Sequence, residues 1–309
     1  MRKVILSLAI VGLALPFLAA SPAQAQATRT WVSGAGDDLS PTCSRTAPCK
    51  TFQGAYNKTA AGGEINCLDS GGFGTLVITM AVTVSCEAGT AGILGTGGGN
   101  SIAIDINAAA SDVVTLRGLD LDGGGSSGYG IAISSAKAVH IEKCSIRNFR
   151  GNAIAAGIWT FANSSTTFFV FVTDTVISDN TFGVLLSSSG GFKIATLKNV
   201  MITGSAADGL NLNNANVFVN VTESVISGNT GSAVNAAASS TEANIDHSTI
   251  ANNGIGLNGA NGSTIRASFN YLLNNTSGWA FVGGNLRTDN QNRASASSPV
   301  PPNSTYVLE

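Results

Sequence analysis

The residues that could carry chemistry are sparse. Asp120 and Asp122 sit in Leu119-Asp120-Leu121-Asp122-Gly123. In an extended chain both point away from Leu121 and share a face, a carboxylate pair of the kind used for acid/base work or calcium. Glu223 and His247 lie 24 residues apart and form an acid/base pair only if that distance is one structural period. Trp159 and Phe161 can stack on sugar rings or pack down on the protein. His140, beside Ile141, reads as a surface or packed histidine. No metal-ligand cluster stands out, and Asp37-Asp38 falls in a loop before the first helical spacing.

Five cysteines add a second kind of chemistry: Cys43, Cys49, Cys67, Cys86 and Cys144. Zinc is disfavoured, because no histidine lies near the first four and their spacing follows no zinc-ligand pattern. Proximity suggests disulfides Cys43–Cys49 and Cys67–Cys86, one of three connectivities open to four cysteines. Cys144, in an apolar-periodic segment, is expected as a buried, inert thiol. Disulfides go with export, and residues 1–25 read as a signal peptide: Arg2-Lys3, an apolar run from Val4 to Ala20, then Ala23-Gln24-Ala25 as a small-x-small cleavage site. The mature chain is expected in the periplasm or outside the cell, with no later stretch able to span a bilayer.

Composition narrows the function classes. The 309 residues include 16 Lys+Arg and 18 Asp+Glu, 11% charged, against about 25% in an average soluble domain. A net charge of −2 leaves no basic excess for nucleic acid, and 44% hydrophobic residues argue against disorder. Glycine (37) and asparagine (28, of which 24 lie at or after Asn148) are abundant.

What positions the chemistry is a repeat. Asp174–Asn180, Glu223–Asn229 and His247–Asn253 are copies of one motif, with weaker copies at Asn199–Ser205 and Phe269–Asn275. Its apolar residue gives a column, Leu121, Ile146, Ile177, Ile202, Ile226, Ile250 and Leu272, with steps of 25, 31, 25, 24, 24 and 22. A column five residues earlier (Leu116, Ile141, Val172, Leu197, Val221, Ile245, Ala267) follows the same steps. A third, looser column runs through Ile131, Ile154, Val184, Leu210, Val234, Ile255 and Trp279. Three short β-branched runs per ~24 residues describe one coil of a parallel β-helix. Stacked coils would pile Asn180, Asn229, Asn253 and Asn275 into a turn ladder, with Ser205 in the gap. The same register sets Arg147 over Asp122, Glu142 over Arg117 and Ser145 over Asp120. It also aligns Lys143, Asp174, Asn199, Glu223 and His247. Both acidic candidates therefore also read as charge ladders. The 31-residue step implies an insertion near Gly157–Thr167.

On these residues the chain resembles the secreted right-handed parallel β-helix proteins of the pectate-lyase-like superfamily. The repeat from about Val113 to Phe281 carries the likeness. So do Thr30-Trp31-Val32-Ser33-Gly34-Ala35-Gly36-Asp37-Asp38 and Pro48-Cys49-Lys50-Thr51-Phe52-Gln53-Gly54-Ala55, which resemble the family's N-terminal cap. Thr51 can cap a helix in which Phe52, Ala55 and Tyr56 share a face, up to Gly62-Gly63. The resemblance implies an all-β, right-handed parallel β-helix with an N-terminal capping helix, and with the residue patterns above it organises the chain as signal peptide 1–25, cap 26–64, β-helix 65–284 and, where the repeat is lost after Gly284, polar tail 285–309. It does not imply one activity. The Asn-Thr-Asp, Asp-Asp, His-Gly and Arg-Ile-Lys motifs shared by polygalacturonases are absent from the repeat strands. The expectation is a noncatalytic surface, matrix or glycan-binding scaffold, monomeric and without cofactor, whose partner is an extracellular polysaccharide. A lyase or hydrolase of acidic polysaccharide, with calcium only in the lyase case, is the alternative.

Overall fold

The computed structural model describes residues 26–87, 89–161 and 166–295 and the backbone of 304–305; the expected signal peptide lies outside them. The chain winds as a right-handed solenoid of three parallel sheets, with 12 strands in the first, 10 in the second and 9 in the third among the described residues. One coil shows the pattern. Ala138–Glu142 joins the first sheet, Ser145–Arg147 the second and Ala156–Thr160 the third.

The repeat arithmetic is realised as register. Leu121, Ile146, Ile177, Ile202, Ile226, Ile250 and Leu272 pair in sequence in the second sheet. Leu116 through Ala267 pair likewise in the first. All are buried, and together they fill the bore. The third column needs correction at two places. Ile158 and Leu257, not Ile154 and Ile255, hold its bore positions. Ile154 is 51% exposed in the turn before the strand, and Ile255, at the start of its strand, is only partly buried. The second-to-third turn varies in length, so a fixed step slips there. Gly130, Gly157, Gly183 and Gly209 stand against the isoleucine column; a Cβ at these sites would come within 2.7, 2.8, 2.4 and 2.7 Å of Ile146, Ile177, Ile202 and Ile226 Cγ2. This close approach accounts for part of the glycine excess.

The corners follow from backbone sterics. Between the first and second sheets, Gly118, Lys143, Asp174, Asn199, Glu223, His247 and Phe269 all take left-handed φ between 46° and 70°, a region only glycine enters without cost. The buried amide ladder holds the next corner. Asn229 N–H and Nδ2 donate to Asn253 Oδ1 at 3.0 and 2.9 Å. Asn253 donates in the same way to Asn275, and Ser205 N–H donates to Asn229 Oδ1 at 3.0 Å. A second ladder went unread in the sequence. It runs through Thr175, Ser224, Ser248, Asn270 and Asn292, each accepting a backbone N–H from the neighbouring coil.

Two boundaries differ from expectation. The helix is a single turn, Phe52–Tyr56, with Thr51 Oγ1 accepting from Gly54 N–H and Phe52 5.0 Å from Phe73. It does not reach Gly62-Gly63, because strand Thr59–Cys67 takes over and pairs with Ala27–Val32. The solenoid also runs past Gly284. Asn285–Thr288 pairs with Thr264–Ala267, Leu286 is fully buried, and Asn292 closes the second ladder. Disulfides Cys43–Cys49 and Cys67–Cys86 are formed, and Cys144 is free and buried.

Candidate functional site

The acidic pair lies on the outer face of the second sheet, where Ser145 and Arg147 are in register with Asp120 and Asp122. Register sets Ser145 opposite Asp120, yet the cation on the next position reaches Asp120 as well. Arg147 Nη1 and Nη2 both bond Asp120, while its Nε lies 3.1 Å from Asp122 Oδ2. An arginine is long enough to span both alternate positions on the facing strand. Partial burial pushes the Asp122 carboxyl up, but the Gly124 N–H, the Asn148 amide and Arg147 outweigh it and hold it below the ordinary carboxylate range. Nearby, Arg117 bonds Glu87 at 2.7 Å and Glu142 at 3.4 Å, and Lys143 bonds Glu87 at 3.2 Å. These charges neutralise one another across coils.

Glu223 and His247 occupy the left-handed corner column, one coil apart, and are not brought together. Glu223 faces Lys198 at 3.7 Å. His247 Nδ1 bonds Asp246 Oδ2 at 2.8 Å, and its ring stacks on Phe269 at 4.9 Å. Asp246, His247, Phe269, Asn244 and Arg266 line a cleft of about 330 Å³. Trp159 is corrected from loop to strand. Its ring lies 4.1 Å from Tyr129 and 3.9 Å from Phe161, so neighbours flank it on both sides. That arrangement is packing on the outer face of the third sheet, and residues 162–165 of the expected insertion lie outside the described ones. Asp105 shares that face, and burial alone pushes its carboxyl up.

The surface best built to meet an extended ligand is one that sequence reasoning missed. On the outer face of the first sheet, one pleat from the bore, register aligns Thr115, His140, Phe171, Thr196, Asn220, Asn244, Arg266 and Arg287 along the axis. His140 stacks on Phe171 at 4.8 Å, and Phe169 stands beside Phe171 at 6.2 Å, 39% exposed. Asn244 Nδ2 donates to Asn220 Oδ1 at 2.9 Å, and Arg266 Nη1 donates to Asn244 Oδ1 at 3.2 Å. The column passes from rings through a hydroxyl and amides to guanidinium groups, and its Asn244 and Arg266 line the His247 cleft. The signal was available, since the steps that aligned Ile141 with Val172 align His140 with Phe171.

Comparison with known proteins agrees with this architecture. A family model described as "Periplasmic copper-binding protein (NosD)" matches residues 100–298. No curated protein matches significantly. Among solved structures, pectate lyase Pel9A superposes with a TM-score of 0.64 at 13% identity, covering 90% of this chain and 77% of that one. Pectin methylesterase PemA from Erwinia chrysanthemi gives 0.41 at 10% identity, covering 91% and 92%. The mannuronan C-5 epimerase AlgE4 A-module from Azotobacter vinelandii gives 0.38 at 11%, covering 80% and 91%. The first is a likeness of fold, and the other two carry no argument.

The copper in that family description can be tested against the residues present. Soft copper sites want thiolate, thioether or imidazole. His140 and His247 are four coils apart, about 19 Å at ~4.8 Å per coil. Four cysteines are spent in disulfides, and burial pushes the Cys144 thiol up to about 11, which keeps it protonated. Met80 packs against the core, and Met201 sits on the second sheet. Among the described residues no three of His, Cys, Asp and Glu are grouped to hold a metal. The residues do not fit copper.

Proposed function

The chain belongs to the NosD family of periplasmic β-helix proteins, and we propose that it serves there as a noncatalytic scaffold that holds an extracellular polysaccharide along the first sheet. The single observation behind this reading is the axial column from His140 and Phe171 to Arg266. The partly exposed rings of His140 and Phe171, with the exposed Phe169 beside them, offer apolar faces to the C–H side of a sugar ring. Thr196, Asn220 and Asn244 offer hydroxyl and amide partners for its hydroxyls. One coil advances ~4.8 Å, close to the length of one pyranose ring, so successive sugars meet successive coils. The ion-paired state of Asp120 and Asp122 supports a noncatalytic role. Among the described residues no helix is long and apolar enough to cross a membrane.

Affinity electrophoresis through gels containing polysaccharides tests the reading. Retardation of the wild type that is lost in Phe171→Ala and kept in Trp159→Ala supports it. Equal retardation of both variants contradicts it.

The Asp246–His247 pair favours a second reading, cleavage of the same ligand. A carboxylate on Nδ1 orients an imidazole to act as a base at Nε2. Loss of chain-shortening activity in His247→Ala would support that reading.

A further inference from the structure

The charged residues of the described strands obey a rule with one exception. Where register sets one charge over another, the signs oppose: Arg29 over Glu64, Arg117 over Glu142 and Arg147 over Asp122. Arg266 over Arg287 breaks the rule. Like charges directly opposite on neighbouring strands destabilise a sheet, so this pair stands against the pattern of the described strands. Local carboxylates reach only one of the two arginines. Glu242 bonds Arg266. Asp246 is engaged by His247, and Asp289 accepts from Ser268 Oγ at 2.5 Å and Gln291 N–H at 3.0 Å. Arg287 has no carboxylate partner among the described residues, and its Nε is buried without an acceptor.

We infer that Arg266 and Arg287 form a subsite for an oxyanion carried on a glycan chain, a carboxylate or a sulfate ester. The inference rests on the first-sheet column as the glycan-binding face. Guanidinium groups suit this ligand because their planar fork donates in parallel to two oxygens. Their place beyond Asn220 and Asn244 in the same column sets the charged sugar one or two coils from the sugars held by amides. An anion between the two arginines removes their repulsion, so occupancy stabilises the last coils.

Titration calorimetry on the full chain tests this with three probes: a uronic acid hexamer, a sulfated hexose hexamer and the unsubstituted hexose hexamer. At least one charged hexamer is expected to bind about tenfold more tightly than the neutral one, and which of them does so identifies the oxyanion. Arg287→Gln should bring the charged affinity down to the variant's own neutral value and flatten its salt dependence. Arg287→Lys should restore part of the preference, which a merely structural loss would not. Equal binding of charged and neutral hexamers by the wild type overturns the subsite, as does a charge preference that survives in Arg287→Gln. Sulfate alone separates this failure from failure of the glycan-binding face. A rise in Tm over chloride at matched ionic strength, present in the wild type and absent in Arg287→Gln, supports the anion site even if no hexamer binds. Identical rises in the two proteins overturn it.

Discussion

The two halves of the solenoid solve the same corner problem with different chemistry. In the N-terminal coils, Cys67–Cys86 is a covalent staple between neighbouring coils, and charges link others: Glu87 with Arg117 and Lys143, Arg117 with Glu142, and Arg147 with both Asp120 and Asp122. In the C-terminal coils no disulfide occurs among the described residues, and buried amides take over. Asn229, Asn253 and Asn275 hold one corner, and Ser224, Ser248, Asn270 and Asn292 the other. The apolar bore is common to both halves. The difference shows that a β-helix corner needs only a satisfied backbone and a tolerated left-handed residue. An ion pair at the rim can be exchanged for many others, whereas a buried amide that donates and accepts at once can hardly be replaced.

The largest effect should come from what the halves share. Ile226, fully buried between Ile202 and Ile250, should cost about 2–5 kcal/mol as Ile226→Ala in chemical denaturation, since the rigid stack cannot collapse into the cavity. Next comes the N-terminal staple. Replacing Cys67 and Cys86 by serine opens a bridge of sequence separation 19 and should cost about 2–4 kcal/mol, with hydrogen exchange rising in the first coils and not in the last. Asn253→Ala should cost about 1–3 kcal/mol, because the buried Asn229 N–H then loses its acceptor. A loss as small as that of an exposed pair would erase the distinction between the halves. Asp122→Ala should cost only about 0–1 kcal/mol at neutral pH, as a partly exposed ion pair does.

The pH dependence has opposite signs at two aspartates. The Asp122 carboxyl is held low when folded, so its stabilisation is complete above the unfolded value of ~3.9 and is lost as pH falls through the folded value. The Asp105 carboxyl is pushed up by burial, so the folded state favours its protonated form, and that preference is lost as pH rises through the raised value. Asp105→Asn should therefore raise Tm slightly at pH 7 and leave it unchanged at pH 3. A fall at pH 7 would show that Asp105 is ion-paired in the folded chain.

This contrast also explains what was legible in sequence. The isoleucine column and the asparagine ladder were readable because each position admits few residue types, and repetition exposed the step. The Ser/Thr/Asn ladder was not, because Cys144, Thr175, Val200, Ser224 and Asn270 share a position without sharing a chemistry. Ile154 misled because the turn before it absorbs a variable number of residues. The second bond of Arg147, to Asp120, was not readable because register gives the residue opposite and not the reach of a long side chain. The His140–Arg287 column was hidden by its own function-like variety, since rings, amides and guanidinium groups look unrelated until the register stacks them.

The most direct test of the account measures binding and cleavage on one sample. The wild-type chain would be incubated with size-defined polysaccharides, with bound fraction followed by sedimentation and chain length by size-exclusion chromatography. The account predicts retention that depends on Phe171 and Arg266, with chain length unchanged. Progressive shortening of the polysaccharide, abolished by Asp120→Asn or His247→Ala at unchanged Tm, would contradict it.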